Sequence, residues 1–142
     1  MKTVPDANDD SRAKRSSRAT NVLFVCSQNK LRSPTAERVF YGLPGIEVRS
    51  AGTERDAENP ISRDDVEWAD VIFVMEKRHR NKIHTMFKDL YDQKRIVCLH
   101  ILDEYEFMQP ELIELLEQRV TPYLEGIIKT ATGLLEETPY GT

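Results

Sequence analysis

The feature that most constrains the fold is an alternation of short apolar runs with longer segments of helical periodicity. Four runs rich in β-branched and aromatic residues predict strands at residues 22–26, 46–51, 71–75 and 95–101. Strands that alternate with helices form βαβ units, and the strands of such units pair in parallel. The sequence therefore predicts an α/β domain built on one mainly parallel sheet.

Helices are predicted between these strands and after the last one, at residues 34–43, 61–70, 77–90 and from about residue 111 onwards. Ser33 is the predicted N-cap of the first helix, with Pro34 in its first turn. Pro122 is expected to kink or restart the last helix, because proline has no N–H to donate.

The length of 142 residues predicts one domain. We assign it to residues 20–131. Residues 1–19 hold almost no large apolar side chain and carry an acidic patch followed by a basic one, so they are expected to be a disordered tail rather than a nucleic-acid arm or a targeting peptide. Residues 132–142 are expected to be a frayed C-terminal tail.

Charge and composition exclude several partner classes. The net charge of −4 gives no basic field for nucleic acid or an anionic membrane, and no apolar run approaches the ~18 residues of a membrane span. The two cysteines, Cys26 and Cys98, lie in different predicted strands and suggest no disulfide framework. His79, His84 and His100 lack metal-site spacing and are expected to be solvated or packed. A cytoplasmic monomer without a bound metal is the resulting expectation.

The first predicted strand ends in a cysteine, and an arginine and a serine follow six and seven residues later: "VLFVCSQNKLRSPTAE". A loop of this length between strand and helix can surround an anion with its N–H groups, and the helix start adds a positive field. The same field stabilises the thiolate of Cys26, which is the nucleophilic form. Arg32 can bind two phosphate oxygens, and Ser33 can donate to the thiolate. A buried cysteine beside a surface arginine is the alternative interpretation, and the strand–loop–helix context counts against it.

This stretch resembles the phosphate-binding loop of the low-molecular-weight protein tyrosine phosphatases, in which a strand leads into C-x5-R-[ST] and then P-x-A-E. The likeness continues in order through "SAGT" (50–53), "WADVIFVME" (68–76) and "ILDEYEF" (101–107), and spans about residues 21–128. It implies a four-stranded parallel sheet of order 2-1-3-4 with helices on both faces, a three-layer, flavodoxin-like arrangement.

The resemblance also implies a phosphatase that forms a phosphocysteine intermediate and needs no cofactor. Cys26 would be the nucleophile, Arg32 the phosphate-binding arginine and Ser33 the hydroxyl that assists the thiolate. The rest of the loop would bind phosphate through Ser27, Gln28, Asn29, Lys30 and Leu31. Asn29 can adopt a left-handed conformation, and with Ser50 it would hold the loop in shape.

The leaving oxygen of a phosphate ester must receive a proton. The family places an aspartate after the fourth strand in an Asp-Pro-Tyr motif, and "DEY" stands there in this chain. Asp103 would be the general acid and then base, and Tyr105 an aromatic wall beside the substrate. A solvated acidic loop made of Asp103, Glu104 and Glu106 is the alternative.

Three departures from the family pattern leave the substrate open. Leu31 replaces a second loop cysteine, and Lys30 adds a cation at the pocket mouth. The segment between "SAGT" and "WAD" is short and lacks the histidine and the aromatic residue that the family often has there. The substrate could be a phosphorylated protein, with phosphotyrosine or phosphoarginine, or a small phosphomonoester. Arsenate reduction would need further thiols beyond Cys98, and a non-catalytic phosphate sensor would need neither Cys26 nor Asp103.

Overall fold

The structure, a computed structural model, describes residues 19–131, with side chains as far as residue 126. The predicted tails therefore lie outside the described residues, apart from Ala19. The strands are β1 (Thr20–Cys26), β2 (Ile46–Gly52), β3 (Val71–Val74) and β4 (Arg95–Cys98). The helices are α1 (Arg32–Phe40), α2 (Arg63–Trp68), α3 (Lys77–Met86), α4 (Lys88–Tyr91) and α5 (Pro110–Ala131).

The four strands form one parallel sheet of order β2-β1-β3-β4, which confirms the predicted fold class. The chain moves from β1 to one side for β2 and to the other side for β3. Strand order therefore reverses at β1, and ligands of such sheets bind beyond the carboxyl end of the strand at this point. Cys26 is the last residue of that strand.

Helices cover both faces because the side chains of β1 alternate between two apolar clusters. Val22 and Phe24 pack in one cluster with residues of α1 and α5. Leu23 and Val25 pack in the other with residues of α2, α3 and α4. All four side chains are fully buried, as expected for a strand covered on both sides.

The start of α1 differs from the prediction. The helix begins at Arg32, with Leu31 rather than Ser33 at the N-cap, and the Thr35 N–H donates to the Leu31 carbonyl oxygen at 3.1 Å. The Ser33 hydroxyl makes contacts inside the loop instead, with the side chains of Cys26 and Asn29. Its place in the first turn of the helix thus aims it at the thiol.

Two further predicted boundaries were wrong, and the structure decides part of the prediction for Pro122. Residues 77–90 form two helices, because Phe87 leaves the helical conformation (φ −130°, ψ 52°) with its side chain buried. Strand β4 ends at Cys98, and His100 two residues later has φ 55°. Helix α5 continues through Pro122, which excludes a restart there and leaves the predicted kink a prediction; Val120 and Leu124 are buried on either side of the proline. Among residues 19–131, no helix is both long enough and apolar enough to cross a membrane.

Candidate active site

The thiol of Cys26 lies at the base of the loop formed by residues 27–31, which we call the phosphate loop. Its residue is 3% exposed, and its Sγ lies 3.0 Å from the Ser33 Oγ. The Ser33 Oγ also accepts a hydrogen bond from Asn29 Nδ2 at 2.9 Å. The Ser33 Oγ also lies within donating distance of the Ala51 carbonyl oxygen, at 3.4 Å. Either the thiol or the hydroxyl can donate in the contact between Cys26 and Ser33, and when Cys26 is a thiolate the hydroxyl is the donor.

Asn29 shapes the phosphate loop as predicted, in the left-handed region at φ 58°. Its Nδ2 donates to the Ser33 Oγ and to the Ser50 Oγ, the latter at 3.0 Å. Ser50 in turn donates to the carboxylate of Glu37 in α1. Glu37 was missed as a supporting residue, although the P-x-A-E motif contains it. The side chains of Asn29, Ser33, Ser50 and Glu37 form one hydrogen-bond network that connects α1 and β2 to the thiol.

The backbone after β2 holds the other side of the phosphate loop. The N–H groups of Thr53, Glu54 and Glu58 donate to the carbonyl oxygens of residues 26, 27 and 28, at 2.9, 3.1 and 2.9 Å. A Cβ atom on Gly52 would lie 2.5 Å from the Ser27 carbonyl oxygen. Only glycine permits this approach, and the contact gives a physical reason for the glycine of "SAGT".

The guanidinium of Arg32 is fixed by acceptors from two other loops. Its residue is 2% exposed, and Nη1 donates to the carboxylate of Glu76 and to the Ile101 carbonyl oxygen at 2.7 Å. Its Nε lies 3.8 Å from Asp103 Oδ1. A buried cation needs such partners, and here they also orient the group.

Glu76 follows β3 and joins Arg32 to a second arginine. Arg78 donates to both of its carboxylate oxygens, from Nε at 3.3 Å and from Nη2 at 3.1 Å. The hydrogen bonds from Arg78 lower the pKa of Glu76 to about 2, and the hydrogen bond and the charge of Arg32 contribute to the same shift. Glu76 is therefore a carboxylate at neutral pH, and its signal in the sequence was the acid that ends "WADVIFVME".

His79 and Arg78 meet the first residue of the phosphate loop. The His79 Nε2 lies 2.9 Å from the Ser27 Oγ, and Arg78 Nη1 donates to the same oxygen at 2.8 Å. Burial, and then the charges of Arg32 and Arg78, lower the pKa of His79 to about 4. Neither residue was predicted to belong to the site; His79 was expected to be solvated or packed, and it is buried at 1% exposure.

A pocket of about 110 Å³ opens above the thiol. It is lined by residues Cys26, Ser27, Gln28, Lys30, Leu31, Arg32 and Asp103. Asn29, Ser33 and Ser50 lie behind it as buried supports. Tyr105 does not line it and packs, partly buried, against the apolar cluster that contains Leu112 and Leu116. Within residues 19–131, no group of three or more His, Cys, Asp or Glu side chains is placed to hold a metal ion.

Comparison with known families matches the segment that carries this loop. The model of the family described as low molecular weight phosphotyrosine protein phosphatase matches residues 21–67. That segment runs from β1 through the phosphate loop, α1 and β2 into α2. No curated protein matches the chain in a sequence comparison.

Three solved structures illustrate the likeness in fold. The tyrosine phosphatase Wzb from Escherichia coli K30, in complex with phosphate, superposes with a TM-score of 0.62 at 21% identity, over 76% of this chain and 98% of that one. The YwlE arginine phosphatase from Geobacillus stearothermophilus superposes with a TM-score of 0.52 at 23% identity, over 83% of this chain and 94% of that one. The thioredoxin-dependent arsenate reductase Cg_ArsC1' from Corynebacterium glutamicum superposes with a TM-score of 0.55 at 22% identity, over 82% of this chain and 66% of that one.

The parallel sheet and the matched segment support a cysteine-dependent phosphatase as the class of protein. More particularly, the resemblance to the low-molecular-weight protein tyrosine phosphatases is confirmed. It rests on the family model for residues 21–67 and on the sheet order of the fold.

Proposed function

We propose that the protein hydrolyses phosphomonoesters with Cys26 as nucleophile, Arg32 as phosphate ligand and Asp103 as general acid and base. One observation carries the proposal. The sulfur, the arginine and the carboxyl group border the same small pocket, and the Ser33 Oγ lies 3.0 Å from the sulfur. A thiol, a fixed cation and a proton donor around one cavity are the groups that a two-step phosphoryl transfer requires.

In the first step the Cys26 thiolate attacks phosphorus, a sulfur–phosphorus bond forms, and the bond to the leaving oxygen breaks. Asp103 gives its proton to that oxygen. The Arg32 guanidinium and the loop N–H groups stabilise the charge on the other phosphoryl oxygens.

In the second step a water molecule attacks the phosphocysteine. The Asp103 carboxylate takes a proton from the water, the sulfur–phosphorus bond breaks, and phosphate leaves. Ser33 stabilises the thiolate that is released, because its hydroxyl lies 3.0 Å from the sulfur and can donate to it. The cycle balances without a redox partner.

The substrate we propose is a phosphorylated protein side chain or a small phosphomonoester, taken up by a monomer in a reducing cytoplasm. Phosphotyrosine is a phosphomonoester, and phosphoarginine is the alternative, for which the leaving atom that Asp103 protonates is a nitrogen. Relatives in fold carry each of these activities in their names. Arsenate reduction is the weaker candidate. The second thiol, Cys98, lines a separate cavity with His100 and Arg119, so an external thiol would have to serve.

The test is hydrolysis of p-nitrophenyl phosphate in EDTA. We expect Cys26→Ser to abolish turnover and Asp103→Asn to lower kcat by about 100-fold or more, the usual contribution of a general acid. Cys98→Ser and Glu104→Gln are the matched controls, and both are expected to keep wild-type rates.

A folded wild type that binds phosphate without any turnover would contradict the proposal and favour a phosphate sensor. A panel of phosphotyrosine and phosphoarginine peptides then ranks the two protein substrates by kcat/KM.

A further inference from the structure

In the described part of the chain, the hydroxyl of Ser27 has two hydrogen-bond partners, the side chains of Arg78 and His79. Arg78 Nη1 lies 2.8 Å from the Ser27 Oγ, and a guanidinium has no lone pair to accept with. The other neighbour is the His79 Nε2, at 2.9 Å. A histidine nitrogen can donate or accept, so the tautomer of His79 decides the direction of that bond.

The tautomer of His79 is fixed by its other nitrogen. The backbone N–H of Glu76 points at His79 Nδ1 at 3.0 Å, and a backbone N–H can only donate. The Nδ1 is therefore the acceptor, and the ring proton of the neutral imidazole lies on Nε2. Burial beside Arg32 and Arg78, which lowers the pKa of His79 to about 4, keeps the ring neutral at pH 7.

The Ser27 Oγ consequently accepts two hydrogen bonds, one from Arg78 and one from His79. A hydroxyl has two lone pairs and one proton, so both lone pairs are used and the proton remains to be donated. No hydrogen bond in the described part of the chain takes that proton. Ser27 lines the pocket directly after the nucleophile.

We propose that the Ser27 hydroxyl donates its proton to an oxygen of the phosphoryl group in the pocket, and that His79 and Arg78 are positioning residues that hold it in this direction. The proposal rests on the proposed function for the identity of the ligand. It adds a side-chain donor to the loop N–H groups and Arg32.

The cluster is also connected to Arg32. Glu76 accepts from both Arg32 and Arg78, and its N–H fixes the ring of His79. One carboxylate thus orients the phosphate arginine on one side and the Ser27 donor on the other. We therefore expect the effects of substitutions on phosphate affinity to be strongly non-additive among four residues, Glu76, Arg78, His79 and Ser27.

The first experiment measures binding of inorganic phosphate by calorimetry, with kcat/KM for p-nitrophenyl phosphate beside it. Ser27→Ala is expected to weaken phosphate binding and to lower kcat/KM by about 10-fold or more, the effect of losing a hydrogen bond to a charged group. Ser27→Thr keeps the hydroxyl and is expected to restore most of both. Phosphate affinity in Ser27→Ala equal to that of the wild type would overturn the proposal.

The second experiment separates the two nitrogens of His79. His79→Asn keeps an acceptor for the Glu76 N–H but removes the Nε2 donor, whereas His79→Gln provides an amide N–H near the Nε2 position. The Asn variant is expected to match Ser27→Ala in phosphate affinity, and the double variant to be no weaker than either. Full phosphate affinity in a folded His79→Asn would overturn the positioning role.

A third measurement needs no variant. In protein labelled with ¹⁵N-histidine, His79 is expected to show a protonated Nε2 and an unprotonated Nδ1 at pH 7. A ring protonated at Nδ1 would overturn the proposal.

These tests fail separately from the proposed function. A wild type that binds phosphate but does not hydrolyse p-nitrophenyl phosphate refutes the phosphatase proposal, and the calorimetry still decides the role of Ser27. A wild type that binds no phosphate overturns both.

Discussion

Asn29 sets the direction of the hydrogen bonds in the phosphate loop, because its side-chain amide nitrogen donates two hydrogen bonds and accepts none. One goes to Ser33 and the other to Ser50, so each hydroxyl must pass its own proton onward. Ser50 gives it to Glu37, and Ser33 can give it to the sulfur of Cys26 or to the Ala51 carbonyl oxygen. The Asn29 side chain thereby leaves the Ser33 proton available to a Cys26 thiolate.

Two substitutions at Asn29 separate its hydrogen bonds from its backbone conformation. Asn29→Gly keeps φ 58° without strain but loses both donors, and we expect a fall in kcat/KM with a loss of about 1–3 kcal/mol in stability. Asn29→Ala adds the cost of a left-handed residue, about 1–2 kcal/mol more. The free energy of unfolding in urea measures the difference. Equal stability of the two variants would contradict the argument from conformation.

At the scale of elements, the carboxyl ends of β1, β2 and β3 bring the site together. Strand β1 supplies the thiol, the segment after β2 holds the phosphate loop from behind, and the start of α3 supplies Arg78 and His79. Packing of β2 against the loop is closest at Gly52.

Gly52→Ala tests that packing. Its Cβ would lie 2.5 Å from the Ser27 carbonyl oxygen and 2.6 Å from the Ala57 Cβ, so the loop has to move. We expect a stability loss on the order of 1–3 kcal/mol, typical of overpacking, with weaker phosphate binding. Gly126→Ala in α5 is the matched control. Among the described residues, no atom outside the backbone of its own helix lies within 4 Å of its added Cβ, and alanine raises helix propensity by about 1 kcal/mol. Thermal unfolding that shows Gly52→Ala as stable as wild type would refute the close contact.

The sequence predicted the elements better than it predicted their boundaries and contacts. Buried runs such as "VLFVC" predicted all four strands and a mainly parallel sheet, and the family resemblance implied the strand order. The N-cap was misplaced because Ser33 uses its hydroxyl for the thiol instead of the helix. Glu76 and His79 were missed as site residues, since only the sheet order brings the end of β3 beside the loop after β1.

The stability of the whole protein depends on pH, because the pKa values of His79 and Glu76 differ between the folded and unfolded states. In the unfolded chain His79 titrates near 6.5, and in the folded protein its pKa is about 4 because of burial and of Arg32 and Arg78; Glu76 opposes this shift, and Lys82 adds to it. Between these values the unfolded state binds a proton that the folded state does not. The free energy of unfolding therefore falls as pH drops from 6.5 to 4.

The expected loss from His79 is about 3 kcal/mol, from the shift in its pKa. Glu76 adds a second loss as pH falls from 4.5 to about 2, since protonation removes a carboxylate that the folded state stabilises. Urea unfolding at a series of pH values measures both. His79→Asn should remove the first loss, and the exposed control His84→Asn should keep it. A flat profile between pH 6.5 and 4 in the wild type would contradict the buried neutral imidazole.

In the proposed mechanism, Cys26 becomes covalently phosphorylated during turnover. The most direct measurement is acid quenching of the enzyme during hydrolysis of p-nitrophenyl phosphate, followed by mass spectrometry of the peptides. We predict one added phosphoryl group on the peptide that contains Cys26, and none in Cys26→Ser. Turnover without a phosphorylated Cys26, or turnover that survives in Cys26→Ser, would contradict the mechanism.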